Sequence, residues 1–350
     1  MFFCVHRKKL FDTVLLPSIY NMHIQAKKVY VIIPTIRDLQ FLKSWKKEFI
    51  NCHLIVVEDS PVKSVKIPNK NFKSIQHFCW QDIDKDLGKN SWIISRKNAG
   101  IRSYGFLKAY QQKASVIITL DDDCYPVEKG FVKNHLDNLD SEYSDGWSPT
   151  YPNPKWMFTR GVPYRGRLKN KVVLSHGLWS GALDLDATTE TKLKKVLTER
   201  SYPPIRQLIP KGNYYPMCSM NMAFKAEITP AMFFPMMGLD NNGKSWGFDR
   251  YDDIWAGLFS KKIIDHLGKA VVNGSPFINH KKASIPSTNF KKEASGMKVN
   301  EFLWKSVDSI RLTKSTVKDC YIEIAKKIKF PKMKYFNKLK NAMVIWAELF

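Results

Sequence analysis

The sequence predicts an α/β protein with a mainly parallel central sheet and helices at its C-terminal end. Short apolar runs recur at Val29-Tyr-Val-Ile-Ile-Pro34, His53-Leu-Ile-Val-Val57 and Val116-Ile-Ile-Thr-Leu120. Nearly uninterrupted runs of this length read as buried parallel strands. They alternate with helical segments, as right-handed crossovers require. Polar groups follow each run: Thr35 and Arg37, Glu58 and Asp59, then Asp121, Asp122 and Asp123. These strand ends share one edge of the sheet, and open α/β sheets bind ligands at that edge.

The first strand, Val29–Pro34, leads through Thr35-Ile-Arg-Asp38 into an expected helix around Leu39–Phe49. The second strand is His53–Val57, and Lys73-Ser-Ile-Gln76 reads as a short third. Residues 97–113 read as helical and enter Val116–Leu120. The stretch from about 141 to 290 is richer in Gly, Pro, Trp and Met and has weaker periodicity. Apolar residues return at helical spacing in Val317–Lys329 and Tyr335–Phe350, separated by Phe330-Pro331-Lys332, with lysines on the solvated face. The expected division is an extension over 1–27, a sheet-bearing unit over 28–295 with halves at 28–140 and 141–295, and a helical segment over 296–350.

The chain has 350 residues, 44% of them hydrophobic and 13% aromatic, enough to bury a large core and to exclude extensive disorder. Its apolar stretches fall short of the roughly 20 residues that a membrane span needs. Met1-Phe-Phe-Cys-Val-His-Arg-Lys-Lys9 lacks the charge order and apolar core of a signal peptide. Cys4, Cys52, Cys79, Cys124, Cys218 and Cys320 are scattered without metal-type spacing, as in a cytoplasmic protein with reduced thiols. The net charge of +24 favours anionic partners. Residues 281–350 carry 16 Lys or Arg against 6 Asp or Glu, without a basic recognition motif, so nucleic acid is not an expected partner.

Three adjacent carboxylates repel one another unless a cation lies among them. Hard oxygen ligands favour Mg²⁺ or Mn²⁺, ions that commonly bridge to substrate phosphates. A solvated Asp-rich turn is the plain alternative. Asp252 and Asp253 precede an apolar run through Ile264, where helix capping explains them as readily as catalysis. His280 follows a short apolar segment and precedes Lys281 and Lys282. Trp179 and Asn221 lie in segments that serve equally as core or as the wall of a sugar pocket.

The first half resembles the nucleotide-sugar-binding part of a GT-A glycosyltransferase, a likeness that places Asp59 near uracil or ribose and the Asp triplet on a metal-bound diphosphate. The resemblance then narrows to the reversibly glycosylated polypeptides, the UDP-arabinopyranose mutases of plants. It rests on segments in order: Ile33-Pro-Thr-Ile-Arg37, His53-Leu-Ile-Val-Val57, Thr119-Leu-Asp-Asp-Asp-Cys124, Arg160-Gly-Val-Pro163 and Ser175-His-Gly-Leu-Trp179. It continues through Tyr215-Pro-Met-Cys218, Met220-Asn-Met-Ala-Phe224, Arg250-Tyr-Asp-Asp-Ile-Trp-Ala-Gly257, Asp265-His-Leu-Gly268, His280 and Cys320-Tyr-Ile-Glu323. The likeness spans about residues 29–349. Glu58-Asp59-Ser60 stands where the family usually has Gln-Asp-Gly. Differences also follow Arg160, at Val162 and Tyr164-Arg-Gly166, and follow Trp179, at Ser180–Asp186.

The resemblance implies a GT-A-like fold, with 28–295 as the catalytic domain, 28–140 as its UDP-binding half and 141–295 as its sugar- or acceptor-facing half. It also implies a UDP-sugar substrate interconverted between pyranose and furanose forms. It implies Mn²⁺ or Mg²⁺ held by Asp121, Asp123 and His280. Thr35, Arg37, Asp59, Arg102, Asp121, Asp122, Trp179, Asn221 and Lys282 are the implied nucleotide-sugar contacts. Arg160 is the expected site of reversible self-glycosylation, with Arg167, Asp252 and Asp253 as further catalytic residues. Homo- or hetero-oligomers with family members are implied, as is a cytoplasmic protein able to attach peripherally to a membrane. Two other functions fit the residues: a glycosyltransferase using an external acceptor, with Asp253 as base, and an inactive scaffold for a paralogue.

Overall fold

The computed structural model describes residues 27–68, 72–145, 168–182, 205–281 and 286–350, with positions 185 and 189 in isolation. Strands β1 (Val29–Thr35), β2 (His53–Glu58), β3 (Ser74–Phe78) and β4 (Val116–Leu120) lie in the order β3-β2-β1-β4, all parallel. Side chains of a strand alternate between faces, so each apolar run feeds two cores. Tyr30, Ile32, Ile55 and Val57 face one layer, while Val29, Val31, Ile33, Leu54 and Val56 face the other. Helices α1 (Trp80–Leu87) and α2 (Arg102–Gln111) cover the first layer. Helix α3 (Phe131–Leu139) and the stretch from Leu39 to Phe49 cover the second. Gly105 lets α2 approach the sheet, since a Cβ there would lie 2.4 Å from Ile32 Cγ2.

The sheet is less uniformly parallel than expected. Beyond β4 come β5 (Cys124–Pro126), β6 (Glu142–Asp145), β7 (Leu168–Gly181), β8 (Arg206–Ile209), β9 (Asn221–Lys225) and β10 (Ala270–His280). β9 runs antiparallel between β4 and β7, and β10 is parallel to β7. The short strands β5 and β8 pair antiparallel with β10, and β6 pairs antiparallel with β7. Antiparallel pairing needs no crossover helix, so short strands can be added to the long β7 and β10. The β10–β5 pairing sets His280 opposite Cys124, directly after the Asp triplet.

The expected helix over Leu39–Phe49 is a 3₁₀ turn, Gln40–Lys43, followed by further turns. Buried Leu39, Leu42 and Trp45 are three residues apart, a spacing that suits 3₁₀ geometry, and the Ser44 hydroxyl donates to the Phe41 carbonyl at 2.6 Å. The helix expected over 97–113 begins only at Arg102. Lys97 has a positive φ of 55°, and the Asn98 side chain accepts from Gly100 N, forming a separate turn over Ala99–Ile101. The third strand lies slightly later than expected, at Ser74–Phe78.

The C-terminal part contains α4 (Asp252–His266), α5 (Pro286–Asp308), α6 (Val317–Lys327) and α7 (Lys334–Glu348). Helix α5 crosses position 296 without a break, and one apolar cluster joins Ile32 and Phe224 to Tyr321, Ile324 and Trp346. The Trp346 indole also donates to the Pro230 carbonyl at 3.2 Å. The apolar faces of α6 and α7 are therefore occupied by the protein's own core. Among the described residues, no helix is long and apolar enough to cross a membrane. Cys52, Cys79, Cys124, Cys218 and Cys320 are all buried.

Candidate nucleotide-sugar site

The carboxyl ends of β1, β2 and β4 converge as the sequence predicts, and the interactions give each polar group a distinct position. Thr35 Oγ1 donates to Asp122 Oδ2 at 2.7 Å, and Arg37 Nε lies 3.2 Å from the same oxygen. Asp122 is therefore tied to the β1 end. Burial raises its pKa, with Thr35 and Arg37 opposing that shift.

At the end of β2, Asp59 Oδ1 accepts from the Trp80 indole at 2.8 Å and Lys97 N at 3.0 Å, while Oδ2 accepts from Asn98 N at 2.9 Å. Burial nonetheless raises the Asp59 pKa. This carboxylate anchors the turn before α2. A cavity of about 400 Å³ opens beside that turn, with Lys97, Lys291, Lys292, Ser295 and Asp249 in its wall, where Lys292 Nζ lies 3.1 Å from Asp249 Oδ2 and the lysines outnumber the carboxylate. Glu58, one residue earlier, is 1% exposed. It accepts from Ser60 Oγ at 2.7 Å, Ser64 Oγ at 2.6 Å and Val65 N at 3.1 Å, and pairs with His77 Nε2 at 2.7 Å. Burial would raise its pKa, but the hydrogen bonds from Ser64, Ser60 and Val65 prevail and bring it to about 2. The two departures from Gln-Asp-Gly thus bond to each other.

At the end of β4, Asp123 Oδ2 lies 3.7 Å from His280 Nε2. His280 Nδ1 donates to the Ala182 carbonyl at 2.8 Å, so Nε2 can present its lone pair to a cation. Burial would lower the His280 pKa, but the neighbouring Asp123 carboxylate raises it. Burial would raise that of Asp123, but His280 lowers it. Among the described residues, no group of three His, Cys, Asp or Glu side chains forms a complete metal cluster. A carboxylate and an imidazole fit Mn²⁺ or Mg²⁺ when phosphate oxygens or water complete the shell.

Asp121 does not join that pair. Its Oδ1 accepts from Arg102 Nη2 at 2.5 Å. Arg102 is fully buried, with Nη1 donating at 2.8 Å to Thr119 Oγ1 and the Ser219 carbonyl, and Nε at 3.0 Å to the Ala99 carbonyl. The expected phosphate contact is thus an internal strut, because all three guanidinium nitrogens are engaged. Asn221 is also corrected. It is fully buried: its Oδ1 accepts from His135 Nε2 at 3.0 Å, and its Nδ2 donates to the Leu178 and Pro276 carbonyls at 2.8 Å. It knits β7, β9 and β10 together behind the edge.

Asp252 and Asp253 open α4 near Arg102. Asp253 Oδ2 accepts from both the Ser219 backbone N–H and hydroxyl at 2.9 Å. Asp252 Oδ2 is buried without a hydrogen-bond partner among the described residues. Burial, then the charge of Asp253, raises the Asp252 pKa well above its ordinary value, with Arg102 opposing the shift. Trp179 is partly buried on β7, two residues before Gly181, the register partner of His280. Arg160, Arg167 and Lys282 lie outside the described residues.

Sequence reasoning missed Trp80, Asn98 and Ser219. The Asn98-Ala-Gly100 turn signal could have pointed to the first anchor. Ser219 joins Arg102 to Asp253 without a local sequence signal.

The profile of the reversibly glycosylated polypeptide family matches residues 24–350. The chain is 38% identical over 334 residues to UDP-arabinopyranose mutase 1 of Arabidopsis thaliana, covering 91% of this chain and 90% of that protein. It is 36% identical over 334 residues to UDP-arabinopyranose mutase 1 of Oryza sativa subsp. japonica, covering 91% and 89% respectively. Among solved structures, glucosyl-3-phosphoglycerate synthase from Mycobacterium tuberculosis, in complex with Mn²⁺ and UDP-glucose, aligns with a TM-score of 0.45. That alignment has 12% identity and covers 84% of each chain. The family match spans every strand of this edge, and the chain belongs to the reversibly glycosylated polypeptide family.

Proposed function

We propose that the chain is a UDP-sugar mutase that interconverts UDP-L-arabinopyranose and UDP-L-arabinofuranose. The Asp123–His280 pair at the carboxyl edge is the observation that supports this most directly, because it provides an oxygen and a nitrogen ligand at the end of β4. The relatives named UDP-arabinopyranose mutase supply the substrate class. Asp123 and His280 would hold Mn²⁺ or Mg²⁺, whose chemistry is to offset the charge of the diphosphate as it leaves. Thr35 and Arg37 fix Asp122, Asp59 fixes the nucleoside-side turn, and Lys282 would meet phosphate.

In the covalent step, the bond from the anomeric carbon to the diphosphate oxygen breaks and a bond to an Arg160 guanidinium nitrogen forms. UDP leaves with the bonding electron pair, and the guanidinium proton passes to a carboxylate. Asp252, Asp253 and the Asp triplet are the carboxylates of the matching segments that could take this proton. Ring size can change while the sugar is detached from UDP yet held by the protein. Arg167 would orient the sugar-bearing segment. The same reading makes the protein cytoplasmic, assembled with family members and able to attach peripherally to membranes.

The test is intact-protein mass spectrometry with UDP-arabinopyranose. One pentose should be added to the chain and removed by excess UDP, and Arg160→Lys should abolish both adduct and isomerisation while UDP still binds. Isomerisation by Arg160→Lys near the wild-type rate would reduce Arg160 to a phosphate clamp.

A further inference from the structure

A second pocket, of about 390 Å³, is lined by Trp92, Asp240, Asn241, Asn242, Trp246 and Lys338. Its volume lies within the range typical of small-molecule sites. It shares the 238–247 loop with the basic cavity beside Asp59, but its chemistry differs. The indoles of Trp92 and Trp246 are 6.4 Å apart between centroids and tilted by 44°. Lys338 Nζ lies 5.8 Å from the Trp92 ring and 5.2 Å from the Trp246 ring, setting ammonium donors beside both. Asp240 and Lys338 balance in charge, so the pocket has no net preference for an ion.

The polar wall is held in shape by the backbone. Asp240 Oδ1 accepts from Asn242 N and Lys244 N, each at 2.9 Å. Arg96 and Leu239 exchange backbone bonds of 3.1 and 2.8 Å at the root of the loop. Gly238 has φ +68°, and a Cβ there would lie 2.7 Å from the Arg96 carbonyl oxygen. Trp246 is backed by Tyr335 at 6.2 Å, which packs on Phe248 at 4.5 Å. The exposed Asn241 and Asn242 carboxamides form no hydrogen bonds within the described residues. The Trp246 indole N–H is buried and meets no acceptor there.

We propose that this pocket binds a neutral saccharide, with a sugar ring against the indoles and its hydroxyls on Asn241, Asn242, Asp240 and Lys338. A sugar has an apolar C–H face and a rim of hydroxyls, and the pocket pairs aromatic surface with donors and acceptors of both kinds. An anionic ligand would be repelled by Asp240, and a cation by the Lys338 ammonium beside the indoles. The rigid loop limits the ordering that binding requires. The inference does not depend on the mutase reading.

The test titrates the full chain with arabinotriose, xylotriose or cellotriose and follows indole N–H signals by NMR, with Trp92 and Trp246 assigned from substitutions. At least one saccharide should give a saturable shift of both signals, with an affinity in the millimolar range or tighter. Asn241→Ala combined with Asn242→Ala should weaken binding roughly tenfold. These residues are exposed, so the pair should leave folding and UDP binding unchanged. Trp246→Ala should abolish the response. Absence of a saturable shift with all three saccharides, or unchanged affinity in the Asn241/Asn242 double variant, would overturn the proposal. A response lost in Asp123→Ala would assign the saccharide to the nucleotide-sugar edge and overturn it as well.

Discussion

Replacing Glu58 with Gln removes the charge that holds the end of β2 while preserving side-chain size. Oε2 accepts from Ser64 N and Val65 N at 3.0 and 3.1 Å and pairs with His77, while Oε1 accepts from the Ser60 and Ser64 hydroxyls. A Gln amide would turn an NH₂ group toward one of these donor sets. The depression of the carboxyl pKa from 4.5 to about 2 is equivalent to about 3 kcal/mol. Screening by nearby solvent reduces the expected contribution to roughly 2 kcal/mol. The folded pKa lies below the unfolded one, so this stability is present above about pH 4.5 and is lost as pH falls toward about 2. Urea unfolding at neutral pH should show Glu58→Gln less stable by about that amount. The difference should shrink through the same acidic window. Equal stability at neutral pH, or a difference that does not change down to pH 2, would refute the reasoning.

Asp123→Ala should abolish Mn²⁺-dependent UDP binding in calorimetry and leave the fold intact, since it also removes repulsion within the triplet; unchanged affinity with and without EDTA would contradict it. Gly105→Ala would set a Cβ 2.4 Å from Ile32 Cγ2 and 3.1 Å from Val57 Cγ2. This should destabilise by about 1–3 kcal/mol in urea unfolding, and an unchanged midpoint would show that α2 is free to shift. Deleting residues 316–350 removes the partners of Phe233 and Phe259 and should give insoluble protein. A soluble, active truncation would show that α6 and α7 are dispensable to the core.

The parallel half of the fold was legible because β1, β2 and β4 are apolar runs bounded by polar ends, and their burial leaves little choice of conformation. The converging strand ends followed from that topology. Arg102 was misread because an Arg near an Asp cluster has the same sequence appearance whether it faces phosphate or is buried against Asp121. The choice is made by distant groups, Thr119 and the Ser219 carbonyl. Asn221 was misread for a similar reason: its side chain fills space left by Gly177, where a Cβ would approach to 2.2 Å. The pairing of β5, β6 and β8 was hidden because strands of three or four residues carry little periodic signal, and the long β7 and β10 lie in the stretch where periodicity is weak.

The most direct test of the central claim is incubation of the pure chain with UDP-L-arabinopyranose and Mn²⁺, followed by chromatographic separation of the ring isomers. The account predicts approach to one pyranose–furanose mixture from either starting isomer, with UDP conserved in the sugar nucleotide apart from the stoichiometric amount released by protein glycosylation. Release of UDP with transfer of the pentose to an added acceptor, without the furanose isomer, would contradict it.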